Sequence, residues 1–221
     1  MKKTKVQIHF DKVAKKYDFY KKRNSFYYDN LKKLLLDLIP SNKNVFEIGC
    51  GTGDLLAHLR PRRGYGVDLS NEMILIAKRK YKRSKNLKFS TTWPHDSDNF
   101  NYIFMSDVIE HLENPETIFK KTTKLMKQKT IFICTMMNPI WEPVELIYEK
   151  LGLKMPEGPH NRMKYKELKI KMELSGMKVI KHDYKLLIPI KIPIITSFLN
   201  KYLETPLKRF SIFEYVVATK A

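Results

Sequence analysis

Three of the eight glycines in this 221-residue chain fall within five positions, in the stretch VFEIGCGTGDLL at Val45–Leu56. An apolar run that ends in such a cluster reads as a strand closing into a tight turn. Something must approach the backbone there more closely than a Cβ would allow. Glu47, Gly49, Gly51 and Gly53 form an acidic-x-Gly-x-Gly-x-Gly pattern at the carboxyl end of that strand. In doubly wound sheets this edge is where nucleotide-like ligands bind. A dinucleotide fingerprint carries Gly or Ala at its sixth position, where this chain has Asp54, and that argues against NAD and FAD. Asp68 ends the next β-rich run. Its carboxylate suits the two hydroxyls of a ribose, and it equally suits a helix amino terminus.

From about Asn44 onward, short β-rich runs alternate with amphipathic helical stretches, which is the pattern of a parallel sheet covered by helices. The fold class is therefore α/β, doubly wound. The strands are NVFEIGC, RGYGVDLS, NLKFSTTW, NYIFMSDV and KTIFICTMM, followed later by KVIKHDYKLL and SIFEYVVATK. A Lys-rich amphipathic helix, Ser25 to Ile39, precedes the first strand and is closed by Pro40. Ser70 or Asn71 caps the helix after the second strand. Two helices follow the fifth strand. The apolar excursion LLIPIKIPIITSFL is too short for a bilayer, which takes about 20 residues, and Pro189, Lys191 and Pro193 break it. It reads as a cover for a pocket or a contact with a membrane surface.

We expect a single domain over 1–221: an N-terminal helical lid at 1–43, a cofactor-binding half at 44–138, and a substrate-side half at 139–221 with an apolar insertion at 186–209. Cys50 and Cys134 sit in apolar strand contexts and give no disulfide framework, which suits a reducing compartment. The basic start lacks the apolar core of a signal peptide. Cytoplasmic location, with peripheral membrane contact, is the expectation. The net charge of +19 invites a polyanionic partner such as RNA. Most of the basic residues are Lys spread along helix faces, as on an ordinary solvated surface. No aromatic-interleaved basic motif of an RNA-binding module is present.

Together the glycine pattern and Asp68 resemble the class I S-adenosylmethionine-dependent methyltransferases over nearly the whole chain. The resemblance implies a Rossmann-like, mostly parallel seven-stranded sheet with an antiparallel last strand. It further implies that the turn with Gly49, Cys50, Gly51 and Gly53 receives the amino-acid part of the cofactor. Glu47 would steer its polar groups, Asp68 would hold the ribose diol, Leu69 would pack beside the adenine, and Ser106 would border the site. The family's acidic residue after the third strand is replaced within STTWPHD by Thr91 or Thr92, with Trp93 as a flat face for stacking. FDKVAKKYDFY resembles the amino-terminal segment that folds over the cofactor in ubiquinone and menaquinone methyltransferases, with Tyr17 as the lid. Phe10 and Tyr17 read equally well as core residues of a helix face.

After the fourth strand, SDVIEHLENP places Asp107, Glu110 and His111 at the same sheet edge. The segment resembles the ubiquinone-pathway O-methyltransferases and, more distantly, small-RNA 2′-O-methyltransferases whose Glu-x-x-Glu-His run binds metal. Asp107, Glu110 and His111 are then candidate ligands for Mg²⁺ or a similar ion. Without a metal, His111 is a candidate general base, with Glu110 as a second catalytic candidate. NPIWEPVELIYEKLGLKMPEGPHNR resembles the helix and loop that form the substrate entrance in the quinone enzymes, which makes His160 the third catalytic candidate. PEGPH reads equally as a rigid turn. The leading expectation is O-methylation of a small amphipathic or lipid-like acceptor of quinone or phenol type. RNA methylation on the basic surface is the alternative, and a non-catalytic cofactor-binding partner subunit is the second.

Overall fold

The computed structural model describes residues 3–95, 98–190 and 195–221. Among them lie the strands β1 (Asn44–Ile48), β2 (Arg63–Val67), β3 (Leu87–Ser90), β4 (Tyr102–Ser106), β5 (Ile131–Met137), β6 (Met177–Lys185) and β7 (Phe213–Lys220). They form one sheet in the order β3-β2-β1-β4-β5-β7-β6. The first five strands run parallel. β7 inserts antiparallel between β5 and β6, as expected for the last strand. The connection reverses direction between β1 and β4, and the carboxyl ends of these two strands flank the crevice that such a switch point opens.

Alternation along the strands divides the core between the two sheet faces, because successive side chains point to opposite sides. Val45, Phe104, Ile133 and Val217 join one cluster with Leu31, Leu34 and Leu35 of α2 (Ser25–Leu38). Phe46, Ile103, Phe132 and Val216 join the other with Phe119 of α5 (Pro115–Leu125) and Met172 of α7 (Tyr165–Leu174). Phe46, Phe104, Phe119 and Phe132 are fully buried, each contributing roughly 1.5–3 kcal/mol of hydrophobic stabilisation. Cys50 and Cys134 are buried, unpaired and in different clusters.

Local signals set the helix ends. Ser70 Oγ accepts the amide of Met73 at 3.2 Å and caps α4 (Asn71–Lys80), so Ser70 rather than Asn71 is the cap. α2 stops at Leu38, with Ile39 extended before Pro40. A helix α1 (Lys5–Arg23) precedes it, capped by Thr4. α3 (Asp54–His58) follows the glycine turn. Beyond β5 come α6 (Glu142–Lys150) and α7, and the apolar excursion holds a further helix, α8 (Ile195–Tyr202). Pro189 borders a pocket, whereas Lys191 and Pro193 lie outside the described residues. Among the described residues no helix is long and apolar enough to cross a membrane.

Candidate active site

The three glycines after β1 have φ of 73°, 51° and 85°, a region that side chains with a Cβ rarely adopt. The chain itself makes the close approaches. A Cβ on Gly49 would lie 2.3 Å from Val108 in the loop after β4, and one on Gly51 would lie 3.2 Å from the ring of Tyr17. Glu47 is 2% exposed and accepts the amide of Leu56 at 3.2 Å, so it fastens α3 beneath the turn. Burial raises its carboxyl well above the usual range. Asp68 accepts the amides of Gly51 and Ser70, each at 2.8 Å, and ties the two turns together. Burial raises its carboxyl as well. Burial also pushes up the Cys50 thiol beside them. Ser106 shares a hydrogen bond of 2.6 Å with Thr135.

Helix α1 lies over this edge. Asp11 accepts from Ser70 Oγ at 2.6 Å. Asp18 accepts from Thr52 Oγ1 at 2.6 Å and from Lys80 at 2.8 Å. Gln7 donates to the carbonyl of Leu69 at 3.0 Å, leaving the Leu69 side chain half exposed. Thr91 and Thr92 are exposed at the end of β3. Trp93 packs edge-on against Phe46, with ring centroids 5.4 Å apart, and Lys121 sits 5.8 Å over its ring. That ring is committed to the second core cluster, so a free stacking face is not what the structure gives Trp93. Asp96, in the same stretch, lies outside the described residues.

Beside α1 opens a pocket of about 190 Å³, walled by aromatic side chains that include Tyr17, Tyr20, Tyr27, Tyr28, Trp141 and Tyr148. Asp107 enters it from the end of β4 with a left-handed φ of 54°. Its Oδ2 accepts the Tyr27 hydroxyl at 2.9 Å, while Oδ1 is buried with no hydrogen-bond partner. Burial first, then the neighbouring Glu110, raises its carboxyl from 3.8 to about 7. Glu110 Oε1 accepts the amide of Met137 at 3.1 Å and faces Arg162 at 3.5 Å. Its Oε2 is buried and unpartnered. Arg162 also pairs with Glu145 and Glu157, and Lys154 pairs with the same two carboxylates.

The short 3₁₀ turn Ile109–His111 separates the residues expected to act together. His111 lines the pocket, but its Nδ1 lies 3.0 Å from the carbonyl of Pro159, and burial lowers its pKa. His160 is not among the pocket-lining residues. Its Nδ1 lies 3.0 Å from the carbonyl of Gly158, in a loop that docks on α1 through His9 and Pro156, 2.9 Å apart. The PEGPH stretch is an irregular loop, and His160 does not join His111 in lining the pocket. Nor is the metal site realised: among the described residues no group of three His, Cys, Asp or Glu side chains is placed to hold an ion. The guanidinium of Arg162 stands at Glu110, and His111 turns toward the loop. The aromatic walls and the Arg162 network escaped sequence reasoning. Their only signal was the adjacent Tyr27 and Tyr28, and the lone Arg in a Lys-rich segment.

A parallel sheet with a glycine turn and an acidic residue at its switch point, closed by an antiparallel last strand, defines the S-adenosylmethionine-dependent methyltransferases. The chain belongs to the methyltransferase domain family, which it matches over residues 19–182. It is 29% identical over 135 residues to an uncharacterised protein of Methanocaldococcus jannaschii, covering 60% of this chain and 52% of that one. It is 26% identical over 160 residues to the ubiquinone biosynthesis O-methyltransferase of Bartonella quintana, covering 66% and 64%. The matches thus span about half to two thirds of these relatives. In fold it is similar to a Thermotoga maritima S-adenosylmethionine-dependent methyltransferase described as a possible histamine N-methyltransferase. The TM-score is 0.73 at 20% identity, with 98% of this chain and 100% of that chain covered.

Proposed function

We propose that the chain transfers a methyl group to a hydroxyl of a small amphipathic, phenol-type acceptor held in the aromatic pocket, with Asp107 taking the proton. The observation that carries this reading is the buried, unpartnered Oδ1 of Asp107, set beside the glycine turn in a pocket with aromatic walls. The turn at Gly49–Gly53, whose three glycines all hold positive φ at the carboxyl edge of β1, together with Asp68 and the exposed Leu69, would hold the cofactor. S-adenosylmethionine bound there would supply an activated methyl group for displacement by the acceptor oxygen, with S-adenosylhomocysteine as the leaving group. The chain orients the acceptor and keeps water out. Tyr27 donates to one oxygen of Asp107 and so leaves the other for the hydroxyl proton. A carboxylate held near pH 7 is suited to general-base work. The base role expected of His111 and His160 passes in this reading to Asp107, and no step runs through a metal.

Support for the hydroxyl comes from the name of the Bartonella quintana relative. Exposed Val144, Ile147 and Leu151 on and beside α6 suit an acceptor that arrives from an apolar phase and a peripheral contact with a membrane surface. Carboxylates outnumber cations in the pocket, which works against an RNA backbone entering it. Radiolabelled methyl transfer from S-adenosylmethionine into cell extract, fractionated into organic, polar small-molecule, RNA and protein phases with and without EDTA, tests the reading. Label in the organic or the polar small-molecule phase that resists EDTA supports it. Label in RNA overturns it, and no label in any fraction supports the non-catalytic partner subunit instead.

A further inference from the structure

In a chain of net charge +19, the acceptor pocket has the opposite sign. Four carboxylates line it, Asp107, Glu110, Glu145 and Glu157, against two permanent cations, Lys154 and Arg162. Lys154 and Arg162 pair with Glu145 and Glu157, Arg162 also faces Glu110 Oε1 at 3.5 Å, so two cations are shared among three carboxylates, and His111 is held toward its neutral form by burial. The excess lies at Asp107 and Glu110, each with one buried oxygen that has no partner, and burial raises both carboxyls, so an ionised form at either position calls for a cation. Glu110 is only 5% exposed, too buried for water to neutralise it cheaply. The aromatic faces already draw a cation: the Lys21 ammonium sits 4.9 Å from the ring centre of Tyr17 and 5.0 Å from that of Tyr28.

If Asp107 receives the acceptor's hydroxyl proton, three lining carboxylates remain against Lys154 and Arg162, and the oxygen without a partner among them is Glu110 Oε2. We propose that the acceptor carries a single positive charge, a protonated amine or quaternary ammonium, which Glu110 and the tyrosine faces of the pocket recognise. This rests on the reading of the pocket as the acceptor site. The substrate class is thereby narrowed to hydroxyl-bearing aromatic amines, in place of neutral or acidic phenols. Aromatic faces and a buried carboxylate together favour an ammonium over its neutral isostere.

The test measures binding to protein saturated with S-adenosylhomocysteine, whose sulfur is neutral, using three probes of one shape: tyramine, 4-ethylphenol and 3-(4-hydroxyphenyl)propionate. The expected result is tyramine bound at least tenfold more tightly than 4-ethylphenol, with the propionate weakest. In Glu110→Gln, which keeps an oxygen for the Met137 amide, the tyramine advantage shrinks toward unity. Should that variant fail to fold, the wild-type probe series decides alone. Equal binding of tyramine and 4-ethylphenol, or tighter binding of the propionate, overturns the proposal. So does sinefungin, which carries an amine at the sulfonium position, binding far more tightly than S-adenosylhomocysteine while tyramine gains nothing; the excess charge then serves the cofactor. Tyramine bound tightly but methylated on nitrogen upholds the cation site and refutes the hydroxyl reading. Methylation of 4-ethylphenol with no preference for tyramine does the reverse.

Discussion

Asp107→Asn removes a charge and little else, because asparagine has nearly the same volume and keeps an oxygen for the Tyr27 hydroxyl. In the folded protein the Asp107 carboxyl holds its proton up to about 7, against an ordinary value of 3.8. At about 1.36 kcal/mol per unit, the ionised form costs the fold about 4 kcal/mol. Between these two values the folded state retains a proton that the unfolded chain has released. Wild-type stability therefore falls through this window as pH rises and, for this group, levels off above about 7. The variant has no such loss. Its stability relative to wild type rises by about 3 kcal/mol between pH 5 and pH 8, an increment of roughly 6–12 °C in melting temperature for a chain of this size. Urea unfolding of both proteins at the two pH values measures the difference. The same variant loses about 10²–10⁴-fold in methyl transfer, together with the limb of the pH–rate profile near neutrality. A stability difference that stays constant from pH 5 to pH 8 refutes the buried, proton-holding acid and the base role built on it.

Gly49→Ala places a Cβ 2.3 Å from Val108 at a φ of 73°, so strain of about 1–3 kcal/mol adds to a steric clash. Adding Val108→Ala relieves only the clash, and urea midpoints of the single and double variants separate the two costs. Arg162→Ala leaves Glu110, Glu145 and Glu157 short of their shared cation. It lowers stability by about 3–5 kcal/mol, and Arg162→Lys recovers only part, because it lacks the forked geometry. Ser70→Ala removes both the α4 cap and the partner of Asp11, at a cost of about 1 kcal/mol. Amide hydrogen exchange then speeds up along α1 while the strands keep their protection.

Features written in local pattern were legible before the structure. The glycine turn, Asp68 at the end of β2 and the Ser70 cap each depend on neighbours a few residues away, and each stands where the spacing put it. The site beyond the cofactor edge was read less well, because sequence proximity does not report direction. Asp107, Glu110 and His111 are near neighbours in the chain, yet the 3₁₀ turn sends Glu110 to Met137 and Arg162 and aims His111 at Pro159. Trp93 looked free because its partners, Phe46 and Lys121, are remote in sequence. The aromatic pocket draws Tyr27, Asp107, Glu145 and Arg162 from four separate parts of the chain. No window of the sequence contains that arrangement.

Helix α1 is pinned to the nucleotide edge by Asp11 and Asp18, and its Phe10, Tyr17 and Tyr20 are also part of the aromatic pocket wall. A single rigid rod therefore roofs two compartments, and it cannot lift from one without unroofing the other. Displacing α1 would open both at once, and the bend this would need falls at Asn24, where α1 ends and α2 begins.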